Sequence, residues 1–263
     1  MTHPNQQISQ LASIQKSALA PRNGMSRSGL VFLATFGLLA ACSQSKPAGN
    51  AEQTSAAKSG GAMAVSPSNQ ALDDAASAAE NLIEAVLAND ASAGDKAYSD
   101  LQTAMKGLTL EQLGKDSAII GSLNQSVNDG WQADDRSAAA MAAVSLYSRL
   151  QQAKDWTGAD VPMAVAMLDH AGFKSELLAA QDPINWAELT KTAEEARGSL
   201  ATLEPMLDDA NLKQVTAGIV EHLSVGVKDR DLQRVQSAAR DLLAVVDLLE
   251  QQFQRQAKSP QMK

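Results

Sequence analysis

One cysteine, Cys42, occurs in the 263 residues. No internal disulfide can form, and covalent haem attachment through Cys-x-x-Cys-His is excluded. Aromatics are also scarce: three Trp, two Tyr and four Phe. Sheets draw on aromatic and β-branched residues, whereas alanine, abundant here, is the best helix former. Positive charge is short as well, with 22 Lys and Arg against 30 Asp and Glu, a net −8. Nucleic-acid binding wants clustered Lys and Arg, so no nucleic-acid partner is expected. Local catalytic motifs are missing too: there is no Gly-x-Ser-x-Gly turn, no phosphate-cradling glycine loop and no His-Glu-x-x-His. Glu-x-x-His pairs, which a ferritin-like di-metal site requires, are absent because Met167 and Ile219 stand three before His170 and His222.

A short apolar run, Leu30 to Leu38, is interrupted by Thr35 and Gly37. It falls below the roughly 20 apolar residues that a membrane-spanning helix needs. Met25, Ser26 and Arg27 precede it and the small residues Ala40 and Ala41 follow, the order of a removable export signal. The polar stretch 1–24 fits no part of such a signal. Translation is therefore expected to start at Met25, with a start at Met1 and a long leading region as the alternative.

Leu39, Ala40, Ala41 and Cys42 together resemble the lipobox of bacterial lipoproteins. That resemblance implies a diacylglyceryl group on the Cys42 thiol, cleavage before it, and a further palmitate-type acyl chain on the new amine. Each buried CH2 contributes about 0.8 kcal/mol and several chains give stable anchoring, so the membrane partner would be engaged through covalent lipid at Cys42. Ser43 follows the cysteine, where inner-membrane members of the family often carry Asp. The resemblance thus implies the periplasmic face of the outer membrane in a Gram-negative cell. The cations Lys16, Arg22 and Arg27 would leave with residues 1–41 and no acid would leave with them, taking the net charge from −8 to −11.

Four segments are expected. Residues 1–41 are the upstream extension and signal. Residues 42–69, rich in Ser, Ala, Gly and Gln, bury too little apolar area to order themselves and read as a flexible tether. Residues 70–257 form the folded domain, and 258–263 a disordered tail.

The domain reads as all-α. Apolar residues recur at steps of three and four: Leu72, Ala75, Ala79, Leu82, Val86; Tyr98, Leu101, Met105, Leu108; Ala139, Ala143, Leu146, Leu150, Ala153. Two stripes run longer, from Trp186 through Leu189, Ala193, Ala196, Leu200 and Leu203 to Leu207, and from Leu232 through Val235, Ala239, Leu242, Val246 and Leu249 to Phe253. Alternating three and four averages 3.5 residues, the seam of shallowly crossed helices in a bundle. Pro205 should end or bend its helix near Glu204. Asn211 is a candidate cap for the next helix, which turns Val215, Ile219 and His222 inward with Leu223. Asp90, Asp135, Asp182 and Asp231 stand 45, 47 and 49 residues apart, each placed to accept from the free N–H groups of a helix start. The pattern predicts an antiparallel bundle of about four helical hairpins, with a short solenoid as the alternative. Trp131 and Trp156 are expected to cover core ends.

Candidate sites are sparse. Met163, Met167 and His170 share a helix face by spacing, and with Met206 they could supply thioether and imidazole ligands suited to copper. Asp169, His170, Glu221 and His222 could instead give a mixed oxygen and nitrogen set. The combination Met163, Met167, His170 and His222 is carried forward as the candidate metal site, against core filling as the ordinary use of helical methionine. Neither set demands a cofactor, and none is assigned. The paired acids Asp134–Asp135 and Asp208–Asp209 do not face one another on a helix and read as helix starts. No catalytic residue is assigned. The first reading is a membrane-anchored, non-catalytic helical module that binds a protein or envelope component. A small-ligand or metal carrier with a site between helices is the alternative, and a hydrolase without a recognisable motif ranks third.

Overall fold

The computed structural model describes residues 67–258, with side chains from Asn69 onward. The signal, Leu39, Ala40, Ala41, Cys42, most of the tether and residues 259–263 lie outside the described residues. Eight helices of four or more turns are found among the described residues: α1 Pro67–Leu87, α2 Ala91–Gly107, α3 Ser117–Gln132, α4 Arg136–Ala153, α5 Met163–Ala179, α6 Trp186–Leu203, α7 Ala210–Asp229 and α8 Leu232–Lys258. A single turn, Leu110–Leu113, and two short 3-10 pieces complete the described secondary structure. The all-α bundle of hairpins expected from the sequence is the observed fold. The first helix begins at Pro67, inside the stretch assigned to the tether. Asn69 is held there: its amide donates to the Asp155 carbonyl at 2.6 Å and its oxygen accepts from the Asp155 N–H at 3.1 Å.

Three of the four hairpins use one turn. At α1–α2, α3–α4 and α7–α8 a residue of positive φ ends the first helix: Asn89 at 54°, Asp134 at 58° and Arg230 at 55°. The next N–H, of Asp90, Asp135 or Asp231, donates five residues back to Ala85, Gly130 or Gly226 at 2.8–2.9 Å. This is the bond that satisfies an orphan carbonyl at a helix C-terminus. The same aspartates cap the following helix, accepting from the N–H of Ala93, Ala138 and Arg234. Asp182 breaks the series. The cap of α6 is Asn185, which accepts from the Glu188 N–H at 3.1 Å, and Asp182 lies exposed in the linker before it. Asp135→Ala and Asp231→Ala should each cost about 1 kcal/mol in urea melts, and Asp182→Ala less than about 0.5 kcal/mol.

The eight helices form two units of four. In the first, α1 packs on α2 and α4, and α3 on α4; in the second, α5 packs on α6 and α8, and α7 on both α6 and α8. Contact between α4 and α5 joins them. The units repeat at 96 residues: Leu72, Ala75, Leu82 and Ile83 of α1 are buried, and so are Leu168, Ala171, Leu178 and Ala179 of α5. Leu146 and Leu242 are fully buried at the same offset, and each such leucine contributes roughly 1.5–3 kcal/mol. The aspartate spacing near 47 residues is therefore half of a longer period set by whole four-helix units.

Other sequence expectations are refined. Pro205 does end α6, which passes at Leu203 into a 3-10 turn. Asp209, not Asn211, caps α7, its carboxylate accepting from the N–H groups of Asn211 and Leu212. The buried face of α7 is shifted by one residue, to Thr216, Val220, Leu223 and Val227, with Val215 52% exposed. Thr216 and Ser224 can sit in the core because their hydroxyls donate to the carbonyls of Leu212 and Val220, at 2.8 and 2.9 Å. Trp131 stacks on Tyr98 at 5.1 Å between centroids, with the Arg136 guanidinium 3.6 Å over its other side. The Trp156 indole N–H donates to the Gln151 carbonyl at 2.7 Å, closing the end of α4. Trp131 packs against the core of the first unit as expected, whereas Trp156 belongs to neither core.

Candidate functional site

The central helix α5 decides where polar groups are forced together. Ala164, Val165, Ala166, Leu168, Asp169, Ala171, Gly172, Phe173, Ser175 and Leu177 to Ala179 are all buried, so apolar contact surrounds it, as befits a helix packed on several sides. Gly172 lets α8 approach: a Cβ there would stand 2.7 Å from Leu243 Cδ2. Three features result.

The first is a group of carboxylates where α1, α4, α5 and α8 meet. Asp169 is 7% exposed and lies against the Tyr147 hydroxyl. Burial, then the charge of Glu80, holds its carboxyl well above the ordinary range. Burial pushes Glu80 up to about 8, helped by Glu84 on its own helix and by Glu250 and Asp247 from α8. Tyr147 is raised by burial and by the same two acids. Burial, then the Asp247 charge, raises Glu250 as well, and Lys154, paired with Asp73, offsets part of that rise. These groups come from four separate helices, so no local spacing announced them. The readable hint was Asp169 itself, an acid within the apolar run Met163 to Phe173.

The second is a groove of about 680 Å³ between α4, α5 and α6. Met163, Met167 and His170 line one wall, with Ser148 and Arg149 opposite and Lys174, Glu188 and Glu195 at one end. The Ser148 hydroxyl is 4.0 Å from Met167 Sδ. Lys174 Nζ is 2.6 Å from Glu188 and 3.7 Å from Glu195, and its hydrogen bond draws the Glu188 carboxyl below its ordinary range. Burial, then the Lys174 charge, pushes the His170 imidazole down to about 4. The structure thus brings together Met163, Met167 and His170. His222 lies exposed on α7 and does not line the groove, and Met206 is 45% exposed elsewhere. The mixed set of Asp169, His170, Glu221 and His222 is not assembled: Asp169 is buried among the seam acids, and Glu221 pairs with Arg197 at 2.7 Å. No group of three His, Cys, Asp or Glu side chains able to hold a metal ion occurs among the described residues.

The third is a groove of about 640 Å³ between α6 and α7. Trp186, Ala187, Ala193, Val225 and Val227 give it an apolar lining, and Glu194, Arg197, Glu221, Lys228 and Arg230 bring charges of both signs. No described helix is long and apolar enough to cross a membrane. The chain matches no family model, and neither the curated proteins nor the solved structures contain a significant match.

Proposed function

We propose that this chain is a lipoprotein tethered through Cys42 at the periplasmic face of the outer membrane, whose helical domain acts as a non-catalytic binding module for a protein or envelope component. The groove between α6 and α7 carries the binding half of this reading. Its apolar lining with charges of both signs suits an amphipathic protein segment laid along two helices. A polyanion would ask for one sign only. The anchoring half is supported by Leu39-Ala40-Ala41-Cys42 behind the apolar run.

The test is expression of the full chain in a Gram-negative host. The wild-type protein should be recovered from the outer-membrane fraction, begin at Cys42 and carry acyl mass. Cys42→Ser should shift it to the soluble periplasmic fraction. A protein that keeps residues 1–41 with an unmodified thiol would end the anchoring half. For the binding half, a photo-reactive side chain replacing Ala187 in the anchored protein should crosslink one partner, and Ala193→Arg should abolish that adduct; an adduct unaffected by Ala193→Arg would place binding elsewhere.

A further inference from the structure

We propose that Met163, Met167 and His170 form a binding site for a soft monovalent metal ion, Cu(I), on the α5 wall of the α4–α5–α6 groove. This site is independent of the tether and of the α6–α7 groove.

The three residues stand at i, i+4 and i+7, so they lie one above another on a single face. All three line the groove. Core filling does not account for the methionines. Neither belongs to the two hydrophobic cores, nor to the half-buried residues packed against them, and Met163 is 39% exposed. Two unbranched thioethers opening side by side into a groove can swing toward a common ion.

The His170 ring has no hydrogen-bond partner among the described residues. A half-buried imidazole left in that state offers a free nitrogen lone pair. Ser148, 4.0 Å from Met167 Sδ, gives one thioether a polar neighbour that can orient it.

The surroundings select against hard divalent ions. The carboxylates of the groove, Glu188 and Glu195, are engaged by Lys174 and Lys191. The donors left on the groove wall are two thioether sulfurs, one of them weakly bonded by the Ser148 hydroxyl at 4.0 Å, and one imidazole, a set that favours Cu(I) over Mg(II), Ca(II) or Zn(II). The charges lining the groove are Glu188 and Glu195 with their partners Lys174 and Lys191, and Arg149, whose guanidinium donates to Gln152 at 3.1 Å.

The full chain carrying Cys42→Ser, which removes the competing thiol, would be titrated anaerobically with Cu(I) against a chromophoric Cu(I) chelator. One ion per chain should transfer to the protein. Met163→Leu and Met167→Leu keep volume and apolarity but remove a sulfur. Each should weaken binding by at least about tenfold, since even second-shell losses cost about 10–100-fold. Met206→Leu, exposed and outside the groove, should leave affinity unchanged. Thermal melts of each variant without metal would confirm the fold. Failure to draw Cu(I) from the chelator, or an affinity untouched by Met167→Leu, would overturn the site. So would a loss produced by Met206→Leu alone.

Discussion

Gly130→Ala should destabilise the protein by about 2–4 kcal/mol in urea or thermal unfolding, while Gly121→Ala on the same helix stabilises it by about 0.5–1 kcal/mol. Gly130 sits in the last turn of α3, where the Schellman turn folds α4 back against it. A Cβ at that position would stand 2.7 Å from the Ala139 nitrogen and 3.0 Å from its Cα. Those are backbone atoms of α4, so no rotamer change relieves the clash. The turn itself would have to open, putting at risk the bond from the Asp135 N–H to the Gly130 carbonyl at 2.9 Å. The Asp135 cap on α4 and the Tyr98–Trp131–Arg136 stack sit on the same hairpin and would be disturbed with it. Gly121 has nothing within 4 Å of its would-be Cβ, so alanine there only removes backbone entropy from the unfolded chain. Gly226, the equivalent of Gly130 in the second unit, is an intermediate case. Its Cβ would meet Arg234 Cγ at 3.0 Å and the Val235 nitrogen at 3.1 Å, and a flexible arginine stem can yield. Gly226→Ala should cost less than Gly130→Ala. Equal effects at positions 121 and 130 would show that close helix approach does not govern this hairpin.

Much of the fold was legible because helical period and capping are local. The long stripes are, from Leu189 to Leu203 and from Val235 to Phe253, the buried faces of α6 and α8, and Asp90, Asp135 and Asp231 are caps. The face of α7 was misread because polar side chains that satisfy themselves locally do not look like core. On α7, apolar Val215 was preferred to Thr216, yet Thr216 is 0% exposed because its hydroxyl bonds within its own helix. Asp182 matched the spacing of the caps, but spacing cannot show that the linker runs on to Asn185. For the groove, the single-helix part of the constellation was readable, since Met163, Met167 and His170 depend only on α5. Membership of His222 depended on how α7 packs, which local pattern does not encode. The meeting of Glu80 with Asp169 across α1 and α5 was invisible for the same reason, being a product of how the two four-helix units dock.

That docking makes stability depend on pH in a direction opposite to most surface carboxylates. The folded state holds Glu80 at about 8 against an ordinary 4.5, and Asp169 is raised too. Between those limits the native protein binds more protons than the unfolded chain. The unfolding free energy then falls as pH rises, and the loss is complete once pH passes the folded value. His170 acts in the other sense: pushed down to about 4 from 6.5, it adds stability as pH rises through that interval. The two contributions offset one another up to about pH 6.5. Above that His170 is neutral in both states, and the acids set the slope. Asp247 and Glu250 on α8 and Glu84 on α1 face Glu80 with like charge, Tyr147 of α4 lies against Asp169, and Lys154 is paired with Asp73. Every cause acting on Glu80, burial first and then these like charges, raises its carboxyl. Stability should drop by about 1–2 kcal/mol between pH 6.5 and 8, a figure that allows for water reaching the half-buried Glu80. Glu80→Gln puts a neutral amide where the protonated acid stands. It should match the wild type at about pH 4, where the carboxyl is protonated in both states, exceed it by at least about 1–2 kcal/mol at pH 8.5, and reduce the slope between 6.5 and 8. Urea titrations at about pH 4, 6.5, 8 and 8.5 measure this directly. A wild-type protein equally stable at pH 6.5 and 8.5, or a Glu80→Gln variant that loses as much as the wild type, would mean that the seam between the units ionises freely. The carboxylates could not then be the buried, mutually repelling group on which this pH dependence rests.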